Sequence, residues 1–243
     1  LKTMSEAVEV LRQFKGFSYF TEMSDIINRL EDHVASARMK TTPVIDFEKN
    51  ESLKGLDYLD TIYHAIVNEH PIQLKYRSFK ARSANSFIFY PYLLKEYRNR
   101  WFVYGVRGNG RILQNLALDR IQSLEVLPQE HYIKNTFFDP NTFFDDLVGV
   151  TKNTGSVAEK VGFKVAAAEA PYIITKPIHR SQQVMERLAD GSVILEIEVV
   201  INHELERVFF GYAEGIQVLY PKTLVELMGR KLKKAAEQYT HSK

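Results

Sequence analysis

Five short apolar and aromatic runs between Ile72 and Leu127, each closed off by a turn signal, limit most what this chain can fold into. They are Ile72 to Tyr76, Phe87 to Leu94, Trp101 to Val106, Ile112 to Leu118 and Ile121 to Leu127. Each is too short for a stable helix and rich in β-branched and aromatic side chains, so each predicts a strand. Gly108-Asn109-Gly110 separates two of them, and glycine and asparagine accept the positive φ that a tight hairpin needs. Tyr97-Arg98-Asn99-Arg100 is a second predicted turn. Five strands joined mostly by short turns predict a small, strongly bent sheet or barrel of the SH3 or Sm type.

Charge separates this stretch from its surroundings. From Pro71 to Arg120 there are ten Lys or Arg against two acids, Glu96 and Asp119, a net of +8 in a chain whose total is +2. The remainder is therefore acidic by 6, and the whole-chain figure hides a basic module in an acidic frame. Such a field attracts anions, and phosphate is the common biological anion that engages several arginines at once. The competing reading is a solvated strand face whose lysines discourage edge aggregation. Tyr76, Tyr90, Tyr92, Tyr97, Trp101 and Tyr104 alternate with these charges. Arginine beside aromatic rings suits stacking on bases as well as gripping phosphate.

Around the module the chain reads in order. Helical spacing over about 5–14 and 21–39 predicts two connector helices, and polar residues up to Gly55, with Val44 to Phe47 as a possible short strand, form a linker. A helix from Leu56 to Glu69, capped by Asp57 and facing Leu59, Ile62, Tyr63, Ile66 and Val67 inward, is expected to cover one side of the barrel. After a linker with two Phe pairs, Phe137-Phe138 and Phe143-Phe144, expected as anchors, the order β-α-β-β-α-β predicts a ferredoxin-like domain closed by a helix from Thr223 to Tyr239. Asp190-Gly191 marks its hairpin. The basic residues Arg230, Lys231, Lys233 and Lys234 are read as complementing that helix's dipole. The expected division is 1–55 connector and linker, 56–128 barrel domain, 129–158 linker and 159–243 C-terminal domain, an α+β chain throughout.

Catalytic signatures are missing one after another. There is no Gly-x-x-x-x-Gly-Lys phosphate loop, no His-Glu-x-x-His pair and no Gly-x-Ser-x-Gly turn. The histidines have no metal spacing; His131, His179 and His203 are expected at the surface or in caps, and Asp145 and Asp146 in solvent or N-capping roles. With no cysteine, disulfides and thiol chemistry are excluded and a reducing cytoplasm is the natural setting. No apolar run approaches the roughly 20 residues that span a bilayer. The expectation is a binding protein, neither enzyme nor membrane protein, with no metal and no cofactor.

The run from Tyr90-Pro91-Tyr92-Leu93-Leu94 through Lys95-Glu96-Tyr97-Arg98-Asn99-Arg100 to Trp101-Phe102-Val103-Tyr104-Gly105, with Leu116-Ala117-Leu118-Asp119-Arg120-Ile121, resembles the signature of WYL-domain proteins. The Trp-Tyr-Leu tripeptide stands here as Trp101-Phe102-Val103, which keeps its aromatic and aliphatic character and loses a hydroxyl. The part from Val161 to Tyr239 is similar to the extension that follows many bacterial WYL domains. The resemblance implies the sensor half of a bacterial transcription regulator. A nucleotide or short single-stranded nucleic acid is the implied ligand, and operator DNA would be bound by an N-terminal winged helix-turn-helix missing from this chain, which opens on Leu1. A homodimer is also implied. Matched to the family pattern, the expected ligand-binding residues are Tyr76, Arg77, Lys95, Arg98, Arg100, Tyr104, Arg107, Asn115 and Arg120. The alternative from another class is a basic module that docks an acidic protein surface and has no small ligand.

Overall fold

The computed structural model describes residues 54–108 and 112–240, with Arg29 alone before them. The expected connector helices, the strand at Val44 to Phe47 and most of the Gly108-Asn109-Gly110 turn lie outside the described residues. The chain divides into two compact units, Leu1–Phe137 and Phe138–Lys243.

The first unit begins with a three-residue 3-10 turn, Leu56–Tyr58, running into helix α1, Leu59–Val67. Strands β1 (Ile72–Tyr76), β2 (Asn85–Tyr97), β3 (Arg100–Arg107), β4 (Leu113–Ala117) and β5 (Ile121–Val126) follow. They form one antiparallel sheet in the order β4-β3-β2-β1-β5. Alternate residues turn inward: Ile72 and Leu74 of β1, Phe89 of β2, Val103 of β3 and Leu116 of β4 meet Leu59 and Ile62 of α1 in one core.

The sheet must curl. Its edges β4 and β5 would stand roughly 19 Å apart across four flat strand spacings. Yet only the 3-10 turn Leu118–Arg120 joins them, a reach of about 8 Å. No β4–β5 pairing closes the ring among the described residues. The bend sits in β2, where the register to β3 shifts between Pro91 and Leu93. Such a bulge accepts the missing N–H of proline and turns the strand, so β2 runs on for 13 residues where the apolar run predicted a shorter element. Opposite the bulge only glycine fits: a Cβ on Gly105 would stand 2.1 Å from the Tyr90 carbonyl oxygen and 2.6 Å from the Phe89 ring. The predicted turn between β2 and β3 is a two-residue hairpin with both central residues at positive φ, Arg98 at 50° and Asn99 at 61°. Beyond β5, Tyr132 packs edge-on to Tyr90 and Tyr92, and its hydroxyl donates to the Pro91 carbonyl, while Phe137 stacks on Tyr92. Burial pushes the Tyr92 phenol up to about 12.

The second unit runs β6 (Glu159–Val165), α2 (Ala170–Thr175), β7 (Gln183–Arg187), β8 (Val193–Val199), α3 (His203–Gly211), β9 (Ile216–Tyr220) and α4 (Lys222–Thr240). The antiparallel sheet order is β7-β8-β6-β9. Val161, Phe163 and Val165 of β6 and Leu195, Ile197 and Val199 of β8 form the core with Leu205, Phe209, Leu224 and Met228. Asp190-Gly191 makes the predicted hairpin, with Gly191 at φ +84° and the Asp190 carboxylate accepting from the Ser192 N–H at 2.9 Å. Asn202 caps α3 by accepting from the Leu205 N–H at 2.9 Å.

Several local expectations change. Asp57 makes no cap to α1. The buried stripe of α1 is Leu59, Ile62 and Ala65, whereas Tyr63 is 44% and Val67 58% exposed; nine residues give room for only one narrow face. His179 is no surface residue but 8% exposed, its Nδ1 accepting from the Ser181 N–H at 3.2 Å. Burial, and then the neighbouring Arg180, lower its pKa. Asp145 and Asp146 are ion-paired, with Arg180 at 2.7 Å and Lys152 at 2.7 Å. Lys231 of α4 has a specific partner, the buried Glu206 carboxylate, besides any favourable dipole. Of the Phe pairs, Phe137 stacks on Tyr92 of β2, whereas Phe138 and Phe144 pack on Phe143, at 4.7 and 5.0 Å, within the linker itself. Among the described residues no helix is long and apolar enough to cross a membrane, and no acid, His or Cys cluster is arranged to hold a metal.

Candidate functional site

The 3-10 turn Leu118–Arg120 that carries the chain from one sheet edge to the other also assembles the charged corner of the first unit. Its backbone is seated on Gly55. At φ +83°, a Cβ there would stand 2.4 Å from the Leu118 carbonyl and 2.7 Å from the Asp119 nitrogen, so glycine is required for the turn to pack this closely. Asp119 reaches back toward β3. Its Oδ2 lies 3.4 Å from the Arg100 Nε and its Oδ1 3.9 Å from the Arg120 Nε. Two guanidinium groups, one from the start of β3 and one from the turn, thus share a single carboxylate and leave a net positive corner. The Asp119 Oδ1 and the Arg120 Nε are both closed off from water and lack a hydrogen-bond partner, so the pair is held by proximity and not by a well-formed fork.

Arg120 has two further neighbours. Tyr76, at the end of β1, lies beside it; burial raises the Tyr76 phenol above its ordinary value and the Arg120 charge works against that rise. The guanidinium carbon also lies 4.5 Å from the centre of the Phe79 ring. The loop bearing Phe79 is tied down beside it: the Arg77 N–H donates to the Arg120 carbonyl at 3.2 Å, and the Arg77 Nε to the Ala81 carbonyl at 3.4 Å.

Register sorts the remaining predicted residues. Leu94, Val103 and Leu116 are opposite one another and fill the core, so the neighbouring cross-strand sets, Lys95 with Phe102 and Tyr104 with Asn115, project from the other face of β2, β3 and β4. Arg100 has the same parity as Phe102 and Tyr104, which puts Lys95, Arg100, Tyr104 and Asn115 on one face. Tyr104 is only 2% exposed, so its side chain is closed off within that face. Two predicted residues stand apart. Arg98 occupies the hairpin tip, its guanidinium 5.4 Å from the Tyr97 ring. Arg107 lies seven residues along β3 from Arg100, roughly 20 Å away, and covers the Phe87 ring at 4.0 Å on the core side. Tyr76, Arg77, Arg100 and Arg120 therefore meet at the corner, Lys95, Tyr104 and Asn115 share the adjoining face, and Arg98 and Arg107 do not join them. Phe79 was missed. Its signal was one aromatic residue among alternating basic ones, Arg77-Ser78-Phe79-Lys80-Ala81-Arg82.

Fold and corner together define an α+β protein of two units whose first sheet carries a basic, aromatic corner. The chain carries a WYL domain, matched by residues 57–126, and a WCX domain, matched by residues 158–236. None of the curated proteins matches it in sequence. Among solved structures it is similar to the proteasome accessory factor B/C (PafBC) of Arthrobacter aurescens, at 16% identity and a TM-score of 0.36, over 96% of this chain and 34% of that one. A CRISPR Cas-related protein is similar at 13% identity and a TM-score of 0.48, over 76% of this chain and 53% of that one. The chain thus spans about a third and about half of the lengths of these two proteins.

Proposed function

We propose that this chain is the ligand-sensing part of a WYL-family transcription regulator, and that the corner around Asp119 receives the phosphate of a nucleotide or short single-stranded nucleic acid. The observation that carries this reading is the convergence of Arg100 and Arg120, from separate segments, on one carboxylate beside Tyr76. An incoming phosphate is received on the open side of two cations that Asp119 holds together, and planar guanidinium groups suit its bidentate recognition. Lys95 and Asn115 line the adjoining face toward which a longer strand would run. Residues 1–55 act as connector to a DNA-binding winged helix-turn-helix, 56–128 as sensor, 129–158 as linker and 159–243 as the C-terminal domain. Binding alters the packing of these parts or of a homodimer and so the affinity for operator DNA, in the cytoplasm and without catalysis. In this reading the first sheet is an SH3/Sm-like barrel, supported by its enforced curl, and the second unit is ferredoxin-like, supported by its β-α-β-β-α-β order and its strand order.

The test is titration of the chain with mononucleotides, dinucleotides and short 5′-phosphorylated single strands at two salt concentrations, beside an Arg100→Ala/Arg120→Ala variant. Affinity should fall steeply with salt and drop about tenfold or more in the variant. Equal binding by variant and parent, or no binding by the parent, overturns the proposal; capture of acidic proteins without nucleotide binding favours the docking module.

A further inference from the structure

We propose that Phe79 is the platform on which a nucleobase stacks, so that the corner selects anions bearing a base over bare sugar phosphates. The inference rests on the anion-binding reading above and names what that reading leaves open, the part of the ligand other than its phosphate.

Phe79 is 72% exposed, the barest phenylalanine ring among the described residues. A single exposed apolar side chain needs no explanation by itself. Here the ring is also fixed. The Arg120 guanidinium lies over one face at 4.5 Å, a cation–π distance, so the exposed surface is the opposite face and the rim. The loop that presents the ring is a closed turn, with the Ala81 N–H donating to the Ser78 carbonyl at 3.0 Å, and Arg77 pins it to the Arg120 backbone. Little ordering therefore remains to oppose stacking. The flanking Lys80 is exposed and supplies a charge for a neighbouring phosphate.

The chemistry follows from the layers. A phosphate held by Arg100 and Arg120 brings the attached nucleoside beside the ring that Arg120 itself covers. Every base has a π-face, so the ring accepts any of them, and the guanidinium behind strengthens the stack. A sugar phosphate would meet the same cations and leave the ring wet.

Adenosine 5′-monophosphate and ribose 5-phosphate differ by the base alone and are the probes. The parent should prefer the nucleotide by about tenfold or more. Phe79→Ala should bring the two affinities together by weakening the nucleotide and leaving ribose 5-phosphate unchanged, and Phe79→Trp should restore the preference. Because Phe79 is exposed, the alanine variant should melt with the parent. Equal binding of both probes by the parent, or a preference that survives in Phe79→Ala, overturns the platform while leaving the anion site standing. Failure of both probes to bind the parent overturns the anion site and the platform together.

Discussion

Asp119→Asn should raise the affinity of the corner for phosphate while lowering the stability of the free protein. The carboxylate lies 3.4 Å from the Arg100 Nε and 3.9 Å from the Arg120 Nε. A phosphate on the open side of those guanidinium groups would stand about 6–7 Å from it. At that separation two unit charges repel by ~0.6 kcal/mol with the dielectric of water and by ~2.5 kcal/mol at an effective value of about 20. Salt screening at a partly exposed site favours the lower end, so the neutral amide should tighten pyrophosphate binding about three- to tenfold at low ionic strength. Without ligand the same change leaves two guanidinium groups facing each other without a counter-charge, at a cost of about 1 kcal/mol. Calorimetric titration with pyrophosphate at two salt concentrations, paired with urea unfolding, reads both quantities. Tighter binding with lower stability supports the corner as an anion receptor held together by Asp119. Binding that weakens or stays the same in Asp119→Asn would refute the electrostatic argument.

Two further outcomes are expected. At the β2–β3 hairpin Arg98 and Asn99 both occupy the left-handed region, where a side chain such as arginine costs about 1–2 kcal/mol. Arg98→Asn with Asn99→Gly should therefore stabilise the first unit by about 1 kcal/mol, a rise in melting temperature of roughly 4–8 °C by scanning calorimetry; an unchanged or lower midpoint refutes the assigned turn. In the second unit burial, and then the neighbouring Arg180 charge, lower the pKa of His179. The unfolded chain therefore takes up a proton there first. The stability His179 contributes is complete above its unfolded pKa of about 6.5 and is lost as pH falls toward its folded value. Urea midpoints at pH 7.5 and 5.5 should fall further for the parent than for His179→Asn, and parallel losses would contradict this.

Much of the architecture was legible because it follows from local pattern. Alternation of apolar residues marks β1 and β8, a continuous apolar run marks β3, and Asp190-Gly191 marks its hairpin, since a residue pattern and a positive-φ turn are properties of adjacent residues. The family resemblance was legible for the same reason, in contiguous runs such as Leu116 to Ile121. What failed depended on distant partners. The apolar run Phe87 to Leu94 falls short of β2, Asn85–Tyr97, whose length depends on the bulge at Pro91 opposite Gly105. Nothing near His179 in sequence signals its burial, because its ring is also held by Asp145 and flanked by Asp146, more than thirty positions earlier.

The same division holds for the site. That a basic, aromatic module lies between Ile72 and Leu127 was determined by composition alone, since counting charges requires no geometry. Which of those charges act together was decided only by the folded sheet. Arg107 and Arg120 look equivalent in the chain, yet one covers Phe87 on the core side and the other meets Arg100, Tyr76 and Phe79 at the turn. Side-chain direction in a sheet is set by strand register, and here also by a three-residue bridge between opposite edges, both of them constraints between residues far apart in sequence.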